Sequence, residues 1–115
     1  MSDYSLPSIS AAVASRMARD GKHLWDVRKT PALRASGLRI RGADWIDPFT
    51  LDFTHPVLCT PDPLVFYCVH GHEVSRFATA LARVAGRQAH YVTGGFEAMR
   101  DAGAPCERLV MGGQE

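Results

Sequence analysis

Apolar residues change their period along this chain, and each change marks an element. In AAVASRMAR, Ala11 to Arg19, small and apolar residues recur at helical steps behind Ile9-Ser10. That predicts a helix in which Ser10 accepts from an orphan amide and Ile9 staples against Ala14, ending near Asp20-Gly21. HLWDVR, His23 to Arg28, reads as a short strand with Asp26 near its end. TPALRASG predicts a short helix with Thr30 as cap, Pro31 at the first helical position and Gly37 closing it. LRIRGADWI then offers a few strand-like residues interrupted by Gly42.

From Asp47 to Pro63 the chain carries Pro48, Pro56, Pro61 and Pro63, which remove backbone donors, so this segment is expected to be mostly irregular. LVFYC, Leu64 to Cys68, is continuously apolar, the pattern of a central strand buried on both faces. Val74, Phe77, Ala78, Leu81 and Val84 or Ala85 then recur at three- and four-residue steps, predicting an amphipathic helix that stops at Gly86. AHYVTGG supplies another strand ending in Gly94-Gly95, and FEAMRDAG a last short helix with Gly103 at its C-cap and Pro105 beyond. Strands alternating with helices over short loops imply an α/β fold with a mainly parallel sheet covered on both faces. In such sheets ligands bind beyond the C-terminal ends of the strands, the place occupied by the residues after LVFYC.

With 115 residues, 46% of them apolar, the simplest organisation is one domain over residues 1–115 with a core of its own. A formal charge of +1 gives no electrostatic footprint for nucleic acid or an anionic membrane surface, which leaves small molecules or proteins as partners. The N-terminal stretch breaks its apolar residues with serines and charges, unlike a signal peptide, and no run approaches the ~18 apolar residues of a membrane span. A cytoplasmic location is expected, for a monomer or weak dimer. Cys59, Cys68 and Cys106 form an odd set at unrelated spacings, which argues against a disulfide framework.

Cys68 ends its strand within a few residues of the following helix, with Gly71 between His70 and His72. A sulfur there would face converging loop amides and the positive end of a helix dipole, both of which favour thiolate over thiol. Gly71 would let the loop turn with positive φ and bring its amide close. The same position also suits an inert core cysteine, and spacing alone leaves both open.

Four segments in order carry a resemblance: DVR (Asp26 to Arg28), RIRGA (Arg39 to Ala43), VFYCVHG (Val65 to Gly71) and GGFEAMRDAGAP (Gly94 to Pro105). Together they resemble the single-domain rhodanese-like sulfurtransferases over about residues 10–106. The resemblance implies a five-stranded, mainly parallel sheet flanked by helices on both faces, and a ping-pong transfer of sulfur. Cys68 would take the outer sulfur of thiosulfate or a persulfide and pass it to a thiophilic acceptor, a small thiol or one on a protein. Val69, His70, Gly71, His72, Glu73 and Val74 would form the loop that holds the thiolate and the persulfide. Asp26 and Arg28 would support that loop from below, or form a plain structural ion pair. No cofactor is implied.

Several positions depart from the family pattern. Arginines common at the second and sixth loop positions are replaced by Val69 and Glu73, which weakens the case for thiosulfate as donor. His70 and His72 could compensate, since a free imidazole titrates at about pH 6.5. The usual His-Ile-Pro-Gly-Ala segment has become Arg39-Ile40-Arg41-Gly42-Ala43, and Met99 replaces the usual tryptophan. The CVHGHEVS form is similar to rhodanese-like proteins found with bacterial chromate-resistance genes, which implies a role in sulfur or oxyanion stress.

Three other readings start from the same residues. A phosphatase would need arginine at the position of Val74, and Arg76 would have to swing back to serve. Cys68, His70 and His72 are legitimate zinc or copper ligands, but no second pair with ligand spacing follows, so no metal is expected. A non-enzymatic persulfide carrier or redox-sensing module would use the same thiol without turnover. Cys59 and Cys106 are candidate resolving thiols or incidental ones, and His55 and His90 are expected to have no catalytic duty.

Overall fold

The computed structural model describes residues 6–110, so of the expected domain over 1–115 only residues 1–5 and 111–115 lie outside the described part. The elements in chain order are β1 (Ser8–Ile9), α1 (Ala11–Arg19), β2 (Trp25–Asp26), α2 (Thr30–Ser36), β3 (Leu38–Ile40) and β4 (Asp44–Trp45). They are followed by β5 (Leu64–Tyr67), α3 (Val74–Val84), β6 (Ala89–Val92), α4 (Gly95–Asp101) and β7 (Cys106–Arg108). The main sheet is five-stranded in the order β1-β6-β5-β2-β4, and every pairing in it is parallel. β3 and β7 form a separate antiparallel pair.

The expected α/β fold is therefore present, with β5 at the middle of the sheet. All of its residues are buried, and their side chains alternate between two apolar clusters. Val65 and Tyr67 join Ala14, Ala18, Phe96 and Met99 on one face; Leu64, Phe66 and Cys68 join Ala78, Ala82, Val57 and Leu51 on the other. That strict alternation is what a strand covered on both sides requires. Met99 is fully buried in the first cluster, where its flexible chain packs among Ala14, Ala18 and Phe96.

Most predicted elements are found, with differences that have physical causes. Ser10 caps α1 by accepting from the Val13 amide at 3.1 Å, and Ile9 packs on the cluster that contains Ala14. Thr30 is not a cap: the cap position is Lys29, without a side-chain hydrogen bond, and Thr30 is already helical. The proline-rich segment is mostly irregular as expected, but Pro48 and Pro56 each start a 3-10 turn capped by the side chains of Asp47 and His55. α3 is rolled from its predicted orientation. Its buried residues are Ser75, Ala78, Thr79 and Ala82, while Phe77 and Val84 stand 51% and 76% exposed. Small side chains let this helix lie close on β5 and β6, and that packing outweighs the larger apolar stripe.

Among the described residues, no helix is long and apolar enough to cross a membrane.

Candidate active site

Cys68 directly follows β5 and is 5% exposed. Its Sγ lies 3.1 Å from the Ser75 hydroxyl, with either atom able to donate. Ser75 is fully buried in the first turn of α3, brought there by the same roll that turns Phe77 outward. The sequence pattern missed Ser75, because Val74 and Phe77 look like the inward face. A signal for it was the run of small residues Ser75, Ala78, Thr79 and Ala82, which also repeats at helical steps.

The loop after Cys68 is anchored from below. The Phe96 amide donates to the Cys68 carbonyl at 2.7 Å and the Glu97 amide to the Val69 carbonyl at 3.2 Å. Because a trans peptide points its C=O and N–H in opposite directions, these bonds aim the Val69 and His70 amides away from α4. Gly71 is buried with φ +75°, and a Cβ there would stand 2.5 Å from the Val92 carbonyl oxygen. Glycine is thus required both by backbone angle and by the close seat of the loop on the end of β6. α3 starts at Val74 behind Glu73, which makes no side-chain capping bond.

Beneath the loop lies a buried polar cluster. Asp26 and Arg28 form an ion pair with both side chains 1% exposed; Arg28 Nη2 donates to Asp26 Oδ2 at 2.7 Å and Nε to Oδ1 at 3.0 Å. The guanidinium also donates to the Leu38 carbonyl at 2.7 Å and lies 4.3 Å from the Phe96 ring centre. The Tyr67 hydroxyl donates to Asp26 at 3.0 Å and accepts from the Ile40 amide at 3.2 Å. Burial first, and then the charge of Asp26, raise the Tyr67 phenol well above its usual value, so it remains a donor. This cluster fixes the residue preceding Cys68, and the charge of Arg28 is spent within it.

Around Cys68 opens a cavity of about 390 Å³ lined by Arg28, Lys29, Val69, His70, His72 and Glu73 among others. His70, His72 and Glu73 are exposed on its rim, Val69 and Val74 half-buried. The two imidazole centres are 6.0 Å apart. Lys29, from the β2–α2 connection, was not singled out by the sequence, since it lies far from Cys68 along the chain. A second cavity, of about 440 Å³, sits at the opposite ends of the strands near Trp25, Pro63 and Val65 and holds none of the candidate residues.

The remaining candidates lie elsewhere. Cys59 is exposed in the proline-rich segment; Cys106 is half-buried in β7, where burial pushes its thiol up despite Arg100 and Arg28. His55 Nδ1 accepts from the Val57 amide, and His90 lies within β6. Arg76 is turned toward Tyr91, its guanidinium carbon 5.4 Å from the ring centre. Among the described residues, no group of three or more His, Cys, Asp or Glu is gathered to hold a metal ion.

A family model for the rhodanese-like domain matches residues 10–102. No curated protein matches the chain significantly. Solved structures do. The rhodanese-like domain of an Anabaena protein superimposes with a TM-score of 0.71 at 22% identity, over 94% of this chain and 83% of that one. A thiosulfate sulfurtransferase from Pseudomonas aeruginosa gives 0.72 at 23% identity, over 90% of this chain but 20% of its own. A Rhodopseudomonas palustris protein of unknown function, described as a possible tyrosine phosphatase, gives 0.71 at 25% identity, over 89% of this chain and 85% of that one.

Proposed function

The chain belongs to the rhodanese-like domain family, and from that premise we propose that it is a sulfurtransferase carrying sulfur on Cys68. The observation that carries this reading is that Cys68 lines the open cavity and its Sγ lies 3.1 Å from the Ser75 hydroxyl. A hydroxyl donating to sulfur stabilises the thiolate, the form that attacks. Further support comes from the Val69 and His70 amides, turned from α4 by the anchored carbonyls, and from the first amides of α3, which lack a side-chain cap.

In the first half-reaction the Cys68 thiolate attacks the outer sulfur of a persulfide R–S–SH. The donor S–S bond breaks, its electron pair leaves on R–S⁻, and the outer sulfur crosses with its proton to give Cys68–S–SH. In the second half-reaction an acceptor thiolate attacks that outer sulfur and the Cys68 thiolate is regenerated. Acceptors would be small thiols or a thiol on a partner protein. A stress-linked role, such as response to oxyanions, is compatible with this chemistry.

The 25% identical possible phosphatase does not transfer its description, because Val74 stands where the phosphate-gripping arginine would be needed and Arg76 is held at Tyr91.

The test is turnover. With a persulfide donor and cyanide, the wild type should form many thiocyanates per molecule, Cys68→Ser none, and Cys59→Ser and Cys106→Ser nearly the wild-type amount. Activity retained by Cys68→Ser would overturn the assignment. One sulfur loaded per molecule without turnover would make the protein a carrier instead.

A further inference from the structure

Recognition of the donor must differ here from a site that grips a dianion with loop arginines. The formal charges lining the cavity are those of Arg28, Lys29 and Glu73, beside the two imidazoles. Arg28 is neutralised, since its guanidinium is bound to Asp26 and to the Leu38 carbonyl inside the protein. That leaves one cation and one anion facing the cavity from different segments: Lys29 from the β2–α2 connection and Glu73 from the Cys68 loop. Both are exposed, and among the described residues neither takes part in an ion pair, with each other or with anything else. A dianion such as thiosulfate would meet one attraction and one repulsion. A molecule carrying both signs would meet two attractions.

Building on the sulfurtransferase reading, we propose that the donor is a zwitterionic persulfide, the hydropersulfide of an α-amino acid thiol, with its carboxylate at Lys29 and its ammonium at Glu73. The cavity of about 390 Å³ falls within the range of small-ligand sites and has ample room for such a molecule. In an amino acid the two charges branch from one carbon, close to the thiol, and Lys29, Glu73 and Cys68 all line the same cavity. The chemistry is the step already written: the donor S–S bond breaks, the amino acid leaves as its thiolate, and the outer sulfur with its proton bonds to Cys68. Lys29 and Glu73 bind the part of the donor that does not react, so their effect falls on the choice between donors.

Four matched hydropersulfides test this on the full chain: those of cysteine, with both charges, 3-mercaptopropionate, with the carboxylate alone, cysteamine, with the ammonium alone, and 2-mercaptoethanol, with neither. Exposed ion contacts contribute about threefold each, so kcat/KM for cysteine persulfide should exceed that for the 2-mercaptoethanol compound by about tenfold, with the other two between. Lys29→Met should bring the cysteine-to-cysteamine ratio to near unity, and Glu73→Gln should do the same to the cysteine-to-3-mercaptopropionate ratio. Ratios within one variant are insensitive to how well that variant folds. If all four donors load Cys68 at similar rates, or both substitutions leave the ratios unchanged, the zwitterion proposal falls while the sulfurtransferase reading stands. If none of the four places sulfur on Cys68, both fall.

Discussion

At the scale of single residues, the proposed chemistry rests on Cys68 and Ser75. Ser75 is fully buried and its hydroxyl lies 3.1 Å from the sulfur, so on the proposed reading Ser75→Ala removes a donor to the attacking sulfur. A hydrogen bond to a charged group contributes about 1.5–3 kcal/mol. Sulfur loading and alkylation of Cys68 by iodoacetamide at neutral pH should both slow by tenfold or somewhat more; equal alkylation rates in the two proteins would show that the hydroxyl does not serve the sulfur. Glu73→Arg replaces a rim acid by a cation and should raise kcat/KM for thiosulfate several-fold, and an unchanged or lower value would contradict the electrostatic account of the rim. Cys68, Asp26 and Arg28 were legible in the sequence because they sit in short ordered motifs. Ser75 and Lys29 were not: one was hidden behind a larger apolar stripe, the other reaches the cavity only through the tertiary fold.

At the scale of elements, the close approach of α3 to the sheet and the anchoring of the Cys68 loop on α4 are what hold the site. Gly71→Ala would push a methyl against the Val92 carbonyl at a backbone angle that favours glycine. We expect a loss of about 2 kcal/mol or more in stability together with slower sulfur loading, measured by urea unfolding and by thiocyanate formation. An unaltered midpoint would mean that the loop is not seated on β6 as described. The longer helices and the buried run of β5 were readable from periodicity and apolar content. β1 and β7 went unread for a shared reason: each has two or three residues and exists through partners distant in sequence, as in Ser8 with Tyr91 or Cys106 with Ile40. Local pattern cannot report such pairings. The misplaced Thr30 cap is a smaller instance, since TPALRASG begins its helix one residue earlier than the capping rule suggests.

The whole molecule depends on the polar cluster beneath the site. Arg28→Met would leave Asp26 charged and buried, and removing one partner of a buried pair costs about 3–5 kcal/mol; a thermal midpoint close to wild type would refute that view of the cluster. Tyr67 adds a pH dependence. Its phenol is held well above the usual value, chiefly by burial, so the folded protein keeps a proton that the unfolded chain releases above about pH 10. Stability from this group is therefore complete below pH 10 and lost as pH rises beyond it. Tyr67→Phe should unfold less steeply with alkali than the wild type, and parallel curves would contradict the assignment. On the proposed reading the sheet, the buried cluster and the anchored loop together present the Cys68 sulfur to its cavity, which mass spectrometry can examine directly. After exposure to a persulfide donor, the Cys68 peptide should carry one added sulfur that cyanide removes; added sulfur found instead on the Cys59 or Cys106 peptide, or on none, would contradict the account.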